Sequence, residues 1–550
     1  MKKNIGPLWL KKAVFYQIYP SSFCDGNGDG TGDIPGIISK LDYLKELGVN
    51  AIWLSPCFKS PFHDGGYDVS DYRQVAERFG TNDDLIELFN RAHDRQIKVC
   101  LDLVAGHTSI EHEWFKKSSQ PEKNEYSNYY IWNDCWCGGT GGLGMINGTT
   151  GRDGCFAINF FAMQPALNYG FAKPDPRFTW QLPADHPDVL KVRNELKDIM
   201  RFWLDKGADG FRVDMASSLV KNDPGRRKTM AFWREVRQMF DRDYPEAVLI
   251  SEWSYAPQAL KAGFHCDFML HTGTPAYTSL FRNDPDRDIF AAVDRAVFYE
   301  NDGNNYELKN RNSYFDAAGK GDADLFFNIY LDHCNRTKHD GYISLPTGNH
   351  DLPRISDLRD EQDLTVVCTF LMTMPGVPFI YYGDEIGMKN QVQLHSKEGG
   401  YTRTRARTPM QWDNSANAGF STAPAEKLYL PVDPDKNRPN AAEQMTRENS
   451  LWKNLQTLLK IKQQYRALEA DGAFELLFSS YPTVYLRSCG REKLLIAVQP
   501  ADRIWQKKIT LPFSCRKLEK CFGNAECELA GNGKICLSGN GKACGIWKIG

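Results

Sequence analysis

The 550-residue sequence predicts an α/β fold, a (β/α)8 TIM barrel with an inserted rim domain after the third strand and a C-terminal antiparallel β domain. Three features point there. Short apolar segments of strand character alternate with segments of helical period from residue 13 to about residue 465. Several of the strands stop on charged side chains, as barrel strands do where their C-terminal ends build a mouth. Beyond residue 470 the helical period is lost and short β-like segments take over.

Residues 13–19 (AVFYQIY) form the first expected strand. Ile38, Leu41, Leu44 and Leu47 share one face of a helix over residues 37–47, which Gly48 ends. Residues 49–54 (VNAIWL) are the second strand, closed by Ser55-Pro56. Thr81 or Asn82 caps a helix that lines up Leu85, Leu88, Phe89 and Ala92. Residues 98–105 (KVCLDLVA) make the third strand. From about residue 110 to residue 171 neither period persists, and the stretch is rich in Trp, Tyr, Cys and Gly. It is too long for an ordinary loop, so residues 107–172 are assigned to the inserted domain.

The alternation then resumes. A helix over residues 189–206, apolar at Val192, Leu196, Ile199, Phe202 and Trp203, leads into a strand at residues 210–214. Strands at residues 247–252, 266–270, 343–351 and 377–385 bring the number to eight, and residues 451–465 are the last helix. The barrel is therefore expected to comprise residues 1–106 and 173–470. Residues 471–550 are the C-terminal domain, with strands at 473–478, 483–487, 494–498 and 508–511.

Composition narrows the function. A net charge of −2 gives no pull toward nucleic acid or an anionic membrane surface. No run of 18 apolar residues is present, and the lysine-bearing N-terminus lacks the apolar core of a signal peptide. The 15 cysteines are odd in number and scattered through core-like strands, which points to reduced thiols and a cytoplasmic setting. Neither Cys135-Trp-Cys137 nor the cysteines from 515 to 544 have the paired spacing of a zinc site.

One loop has a cation-binding pattern. Asp25, Asn27, Asp29, Thr31 and Asp33 alternate with glycines, so a turn can wrap their oxygens around a hard ion. Calcium in a structural role is expected, with magnesium as the alternative.

The strand ends supply the reactive groups. Asp102 with His107, Arg212 with Asp214, Glu252, and His350 with Asp351 end four different strands, and a closed barrel would gather them. Arg212 and Asp214 are two residues apart and leave their strand on one face, where the cation would keep the carboxylate ionised. Glu252 follows the apolar VLIS and precedes Trp253, where desolvation would raise its pKa toward that of a general acid. Three of these four carboxyl groups, with an arginine and two histidines, suit glycosidic cleavage through an oxocarbenium-like transition state.

On these residues the chain resembles the α-amylase family of glycoside hydrolases (family 13) over nearly its whole length. The resemblance is carried by Asp102-Leu-Val-Ala-Gly-His107, Gly210-Phe-Arg-Val-Asp214, Ile250-Ser-Glu252-Trp and Thr347-Gly-Asn-His-Asp351. It implies that Asp214 is the nucleophile, Glu252 the general acid/base and Asp351 the transition-state stabiliser, with His107, Arg212 and His350 contacting the first sugar. Gln164-Pro-Ala-Leu-Asn168, Tyr381-Tyr-Gly-Asp-Glu385 and Arg407-Thr-Pro-Met-Gln-Trp-Asp413 resemble the group that includes oligo-1,6-glucosidases, α-glucosidases and trehalose synthases. The calcium loop is similar to that group's. By the same resemblance Asp68 would pair with Arg407 behind one glucose and Tyr67 would stack on its ring, giving a closed, exo-acting pocket.

Three positions depart from the family pattern. Gly106 stands where Asn is usual, which is expected to enlarge the corner beside His107. Ala166 replaces an Asp, and Met215 follows the nucleophile where other residues mark linkage preference. The expected activity is a retaining α-glucosidase acting on a small α-glucoside or oligosaccharide. The alternative is a trehalose-synthase or sucrose-isomerase-like transglucosylase that uses the same glycosyl-enzyme intermediate.

Overall fold

Eight short strands, buried along their whole length except for Lys98 at the start of the third, need cover on both faces, and parallel closure with helices outside provides it. In the computed structural model, which describes residues 5–269, 275–282, 312–531 and 533–550, they form one closed barrel. The strands are β1 (Phe15–Ile18), β2 (Ala51–Leu54), β3 (Lys98–Val104), β4 (Gly210–Asp214), β5 (Val248–Ser251), β6 (Cys266–Phe268), β7 (Tyr342–Pro346) and β8 (Val377–Tyr381). Each pairs in parallel with its sequence neighbours, and β1 closes on β8 through Phe15↔Phe379. Leu270, placed by sequence at the end of the sixth strand, lies outside the described residues.

The alternation of side chains along each strand separates two cores. Phe15, Trp53, Cys100, Ile250, Phe268 and Phe379 fill the barrel interior, with the Phe15 and Phe379 rings stacked at 4.4 Å. Tyr16, Ile52, Leu101, Phe211 and Leu249 face outward into the layer of helices. Arg212 and Asp214, in step with the inner set, are therefore directed to the barrel axis rather than to the helices. The strands expected over 343–351 and 377–385 stop at Pro346 and Tyr381, so their terminal charges stand in the loops just beyond.

The flanking helices follow from local signals. Thr81 and Asp84 make a reciprocal capping box at the start of Asn82–Asp94. The single helix expected over 37–47 is two, Ile34–Ser39 and Leu41–Leu47, broken at Lys40, and Gly48 ends the second at φ 105°. Asp33 caps the first of these by accepting from the Gly36 amide at 2.7 Å.

Between β3 and β4 the chain makes the expected excursion. Cys155–Ala157 pairs on either side with Trp132–Asn133 and Met145–Asn147 in a small antiparallel sheet. An antiparallel bridge from His107 to Ala166 ties the end of this excursion to the strand it left. Beyond the barrel, a five-stranded and a three-stranded antiparallel sheet pack over Val484, Leu495, Trp505, Ile535 and Trp547. The four strands expected there are found, together with Leu518–Gly523, Glu526–Leu529, Lys534–Gly539 and Ala543–Ile549. Buried Arg487 fastens these sheets to the barrel side by donating to the carbonyls of Thr373, Glu469 and Gly472. Among the described residues no helix is long and apolar enough to cross a membrane.

Candidate active site

The site forms where β3, β4 and β5 end side by side. Register pairs Asp102 with Arg212 and Arg212 with Ile250, so the inner-facing groups of the three strands meet. One guanidinium joins them. Arg212 Nη1 donates to Asp102 Oδ1 and to Asp214 Oδ1, both at 2.9 Å, and Nη2 lies 2.9 Å from Glu252 Oε2. Glu252 Oε2 also accepts from the Met215 amide at 3.0 Å. Among the described residues, Asp214 Oδ2 and Glu252 Oε1 meet no donor, so each carboxyl keeps one oxygen for other chemistry. Two carboxyls on neighbouring nitrogens of one planar group are compatible with the ~5–5.5 Å separation of a retaining pair.

Beneath them Asp102 is fully enclosed. Its Oδ2 accepts from Trp53 Nε1 and Tyr67 OH, each at 3.0 Å. Burial lifts the Asp102 carboxyl to about 6 even though Arg212 and these donors oppose it. Burial also lifts Asp214 well above the carboxylate range, the Glu252 charge adds to that, and Arg212 works against both. The expected lowering of Asp214 by Arg212 is thus present but outweighed.

Asp351 stands opposite in the reverse environment. Arg403 Nη1 lies 2.9 Å and Arg407 Nη2 3.2 Å from its Oδ1, while His350 Nε2 is 3.2 Å from Oδ2. Burial would raise this carboxyl, but the surrounding positive groups hold it far below its usual value. His350 is itself pushed well below its ordinary pKa by burial and is neutral near pH 7, so the two arginines are the standing cations. Gln17 Nε2 fixes the other His350 nitrogen at 2.9 Å, and the Tyr67 and His350 rings stack at 5.1 Å.

The pair expected behind the glucose differs. Asp68 does not reach Arg407. It is completely buried, and its oxygens accept from the His63 and Asp64 amides and the Ser60 hydroxyl, folding their own turn. Arg407 Nε donates instead to the His350 carbonyl at 2.7 Å. Arg403 takes the bridging part, with Nη2 at 3.2 Å from Asp64 Oδ1 and Nη1 on Asp351. Asp64 is held further by Gln164 Nε2 at 2.8 Å, and burial raises it to about 6.

The corner beside His107 also departs from expectation. It is not enlarged by Gly106. The amide of Asn159, from the excursion, occupies it and lies 3.1 Å from His107 Nδ1. Burial takes His107 down to about 3, so its ring is neutral. Ala166, in place of an acidic residue, is fully buried in the bridge to His107. His107, Arg212, His350 and Arg407 are each 1% exposed and form the layer that supports Asp214, Glu252 and Asp351.

Sequence reading missed Gln17, Trp53, Asp64, Asn159, Lys221 and Arg403. Trp53 was the most accessible of these, since it occupies an inner position of β2.

The glycine-rich loop wraps its own oxygens. Asp25 accepts from the amides of Asn27, Gly28 and Gly30, Asp29 from that of Thr31, and Asp33 from those of Gly26, Asn27 and Gly36. The Asn27 side-chain oxygen accepts from the Asp29 amide. Among the described residues no group of three His, Cys, Asp or Glu side chains has metal-binding geometry. The oxygen-rich turn has the ligand types a hard cation takes, carboxylate and amide oxygens.

Similarity to known proteins extends over most of the chain. Residues 17–267 and 294–471 match the alpha amylase catalytic domain. An oligo-1,6-glucosidase of Heyndrickxia coagulans is 33% identical across 90% of this chain and 92% of its own. The trehalose synthase/amylase of Mycolicibacterium smegmatis is 32% identical across 88% of this chain and 81% of its own. Among solved structures, the trehalulose synthase of Pseudomonas mesoacidophila aligns with a TM-score of 0.80 at 27% identity, covering 99% of this chain and 100% of that one. A variant of that enzyme in complex with the substrate sucrose aligns at 0.78, also at 27% identity and with 99% and 100% coverage.

Proposed function

Because this chain belongs to the alpha-amylase family of glycoside hydrolases, we propose that it is a retaining, exo-acting α-glucosidase that removes glucose from the non-reducing end of short α-glucosides. The observation that carries the reading is the single Arg212 guanidinium bonded to Asp102, Asp214 and Glu252, with Asp351 held by its own arginines across from them. Asp214 attacks the anomeric carbon through Oδ2 while Arg212 keeps the carboxylate oriented. Glu252 gives a proton from Oε1 to the departing oxygen as that bond breaks. Asp351, kept ionised by Arg403 and Arg407, faces the positive charge that develops on the sugar. In the second half, Glu252 takes a proton from water, which displaces Asp214 and restores the configuration at carbon.

The bridge from Asp64 through Arg403 to Asp351 supports exo action, since it walls the pocket behind one sugar. Tyr67, stacked on His350, supports a flat wall for that ring. A transglucosylase or isomerase is the second reading, favoured by the near-complete overlap with a trehalulose synthase structure. There a sugar hydroxyl replaces water at the second step. Product analysis on maltose, isomaltose, sucrose and trehalose separates the two. Glucose alone from the glucobioses supports hydrolysis, whereas a new disaccharide refutes it.

A calcium ion, or magnesium in its place, at Asp25, Asn27, Asp29, Thr31 and Asp33 is part of the same reading. It would brace the loop after β1 and supply no step of the reaction. Fifteen free thiols support a reducing, cytoplasmic setting.

A further inference from the structure

Asn159 stands where three segments meet. Its Nδ2 lies 3.1 Å from His107 Nδ1 and 3.7 Å from Met215 Sδ, and its Oδ1 accepts from Lys221 Nζ at 3.3 Å. Lys221 is itself anchored on the Ser218 carbonyl at 2.7 Å. A lysine only donates, so the atom of Asn159 facing it is the carbonyl oxygen, and the amide nitrogen must face His107. That nitrogen also only donates. His107 Nδ1 is then an acceptor and the ring proton is on Nε2, where it donates to the Tyr67 carbonyl at 3.2 Å. One side chain of the excursion thus sets the tautomer of His107, steadies the Tyr67 backbone, and touches the residue after the nucleophile.

The glycine at 106 has a matching explanation. Its φ is outside the left-handed region, so the backbone does not demand glycine there. Space does. A Cβ at this position would lie 2.6 Å from Asn159 Nδ2, closer than such contacts occur.

We propose that Asn159 is a positioning residue of the active site, acting through His107 and oriented by Lys221, and that Gly106 is required because the Asn159 amide fills its side-chain space. The proposal rests on the glycosidase reading above, in which Tyr67, whose carbonyl His107 holds, forms a wall for the bound sugar.

Four variants test it: Asn159→Ala, Asn159→Asp, Gly106→Ala, and the Gly106→Ala/Asn159→Ala double. The assays are kcat and KM on an α-glucoside, calorimetric affinity for 1-deoxynojirimycin, and melting temperature. Asn159→Asp keeps shape and the Lys221 contact but cannot donate to His107. It should lower kcat/KM about tenfold, as Asn159→Ala does, with a melting temperature within about 2 °C of the parent. Gly106→Ala should cost at least as much alone, yet less than about twofold more when Asn159 is already alanine. Near-parental kcat/KM in Asn159→Asp overturns the positioning role. Independent, multiplicative losses in the double variant overturn the shared-space explanation. An Asp214→Asn control distinguishes the two readings. If it loses turnover while Asn159→Asp does not, only the present proposal fails. If Asp214→Asn stays active, or the parent neither turns over nor binds the inhibitor, the glycosidase reading falls and takes this one with it.

Discussion

Replacing Arg403 by Met keeps the aliphatic stem and removes the cation between Asp64 and Asp351. The consequence depends on pH, and the sign follows from Asp64. Its folded pKa is about 6 against an ordinary 3.9, so between pH 4 and 6 the native state holds more protons than the unfolded one. Stability from this group is therefore greatest below pH 4 and falls by about 3 kcal/mol as pH rises through 6. Arg403 is among the groups that keep the rise in pKa this small, so its loss moves the titration upward. At pH 5 Asp64 is largely protonated with or without Arg403, and, beyond a loss at ionised Asp351 that is common to both pH values, the substitution should cost about 1 kcal/mol in lost hydrogen bonds. At pH 8 the parent has an ionised, paired Asp64 while the variant has lost its partner, and the cost should reach roughly 3 kcal/mol, the lower end for breaking a buried pair. Urea unfolding of parent and Arg403→Met at the two pH values measures the difference, expected near 2 kcal/mol. Adding Asp64→Asn should erase its pH dependence. Equal penalties at pH 5 and pH 8, or a dependence that survives Asp64→Asn, would refute the assignment of Arg403 as the partner of Asp64.

Other outcomes follow from the same geometry. Asp214→Asn and Glu252→Gln should each lower kcat by several orders of magnitude with circular dichroism unchanged, and retained turnover in either variant dismisses its assigned role. Glu252→Gln alone should release strongly acidic leaving groups in a rapid burst, since these need no proton from Oε1, and should turn over only when an anionic nucleophile such as azide replaces the water that Glu252 would activate. EDTA should lower the melting temperature and calcium restore it, while Asp25→Ala should abolish the response; no response in the parent argues against a cation at the loop. Arg487→Met should lower stability by about 3 kcal/mol through the carbonyls of Thr373, Glu469 and Gly472 that it leaves unpaired, and a loss under about 1 kcal/mol would show that water replaces it.

The barrel was readable because its strands are apolar on both faces and end in charge, a pattern that survives errors of several residues at each boundary. The overshoot at 351 and 385 came from treating that terminal charge as part of the strand, whereas Pro346 and Tyr381 end the ladders earlier. The carboxylate cluster was readable for a related reason: two-residue alternation fixes which side chains enter the barrel. Arg403 was not. Three arginines follow one another at alternate positions, Arg403, Arg405 and Arg407, across a 3-10 turn over Tyr401–Ala406. Which of them reaches Asp64 depends on how that turn docks, and no period in the sequence encodes it. Asn159 was hidden in the same way, in a segment without helical or strand rhythm that returns to β3 only through tertiary contact. Of the second C-terminal sheet only the strand at 508–511 was legible, because strands such as Glu526–Leu529 are largely exposed and carry little apolar alternation.

Arg212 serves three acids at once, and this limits how the catalytic centre can vary. Neutralising Asp102 removes a like charge that raises Asp214 and leaves Arg212 with one fewer partner, so Asp214 becomes a stronger acid without being touched itself. Changes in acid strength at this centre come as correlated sets, and a scan of single replacements will measure the readjusted remainder rather than the part removed.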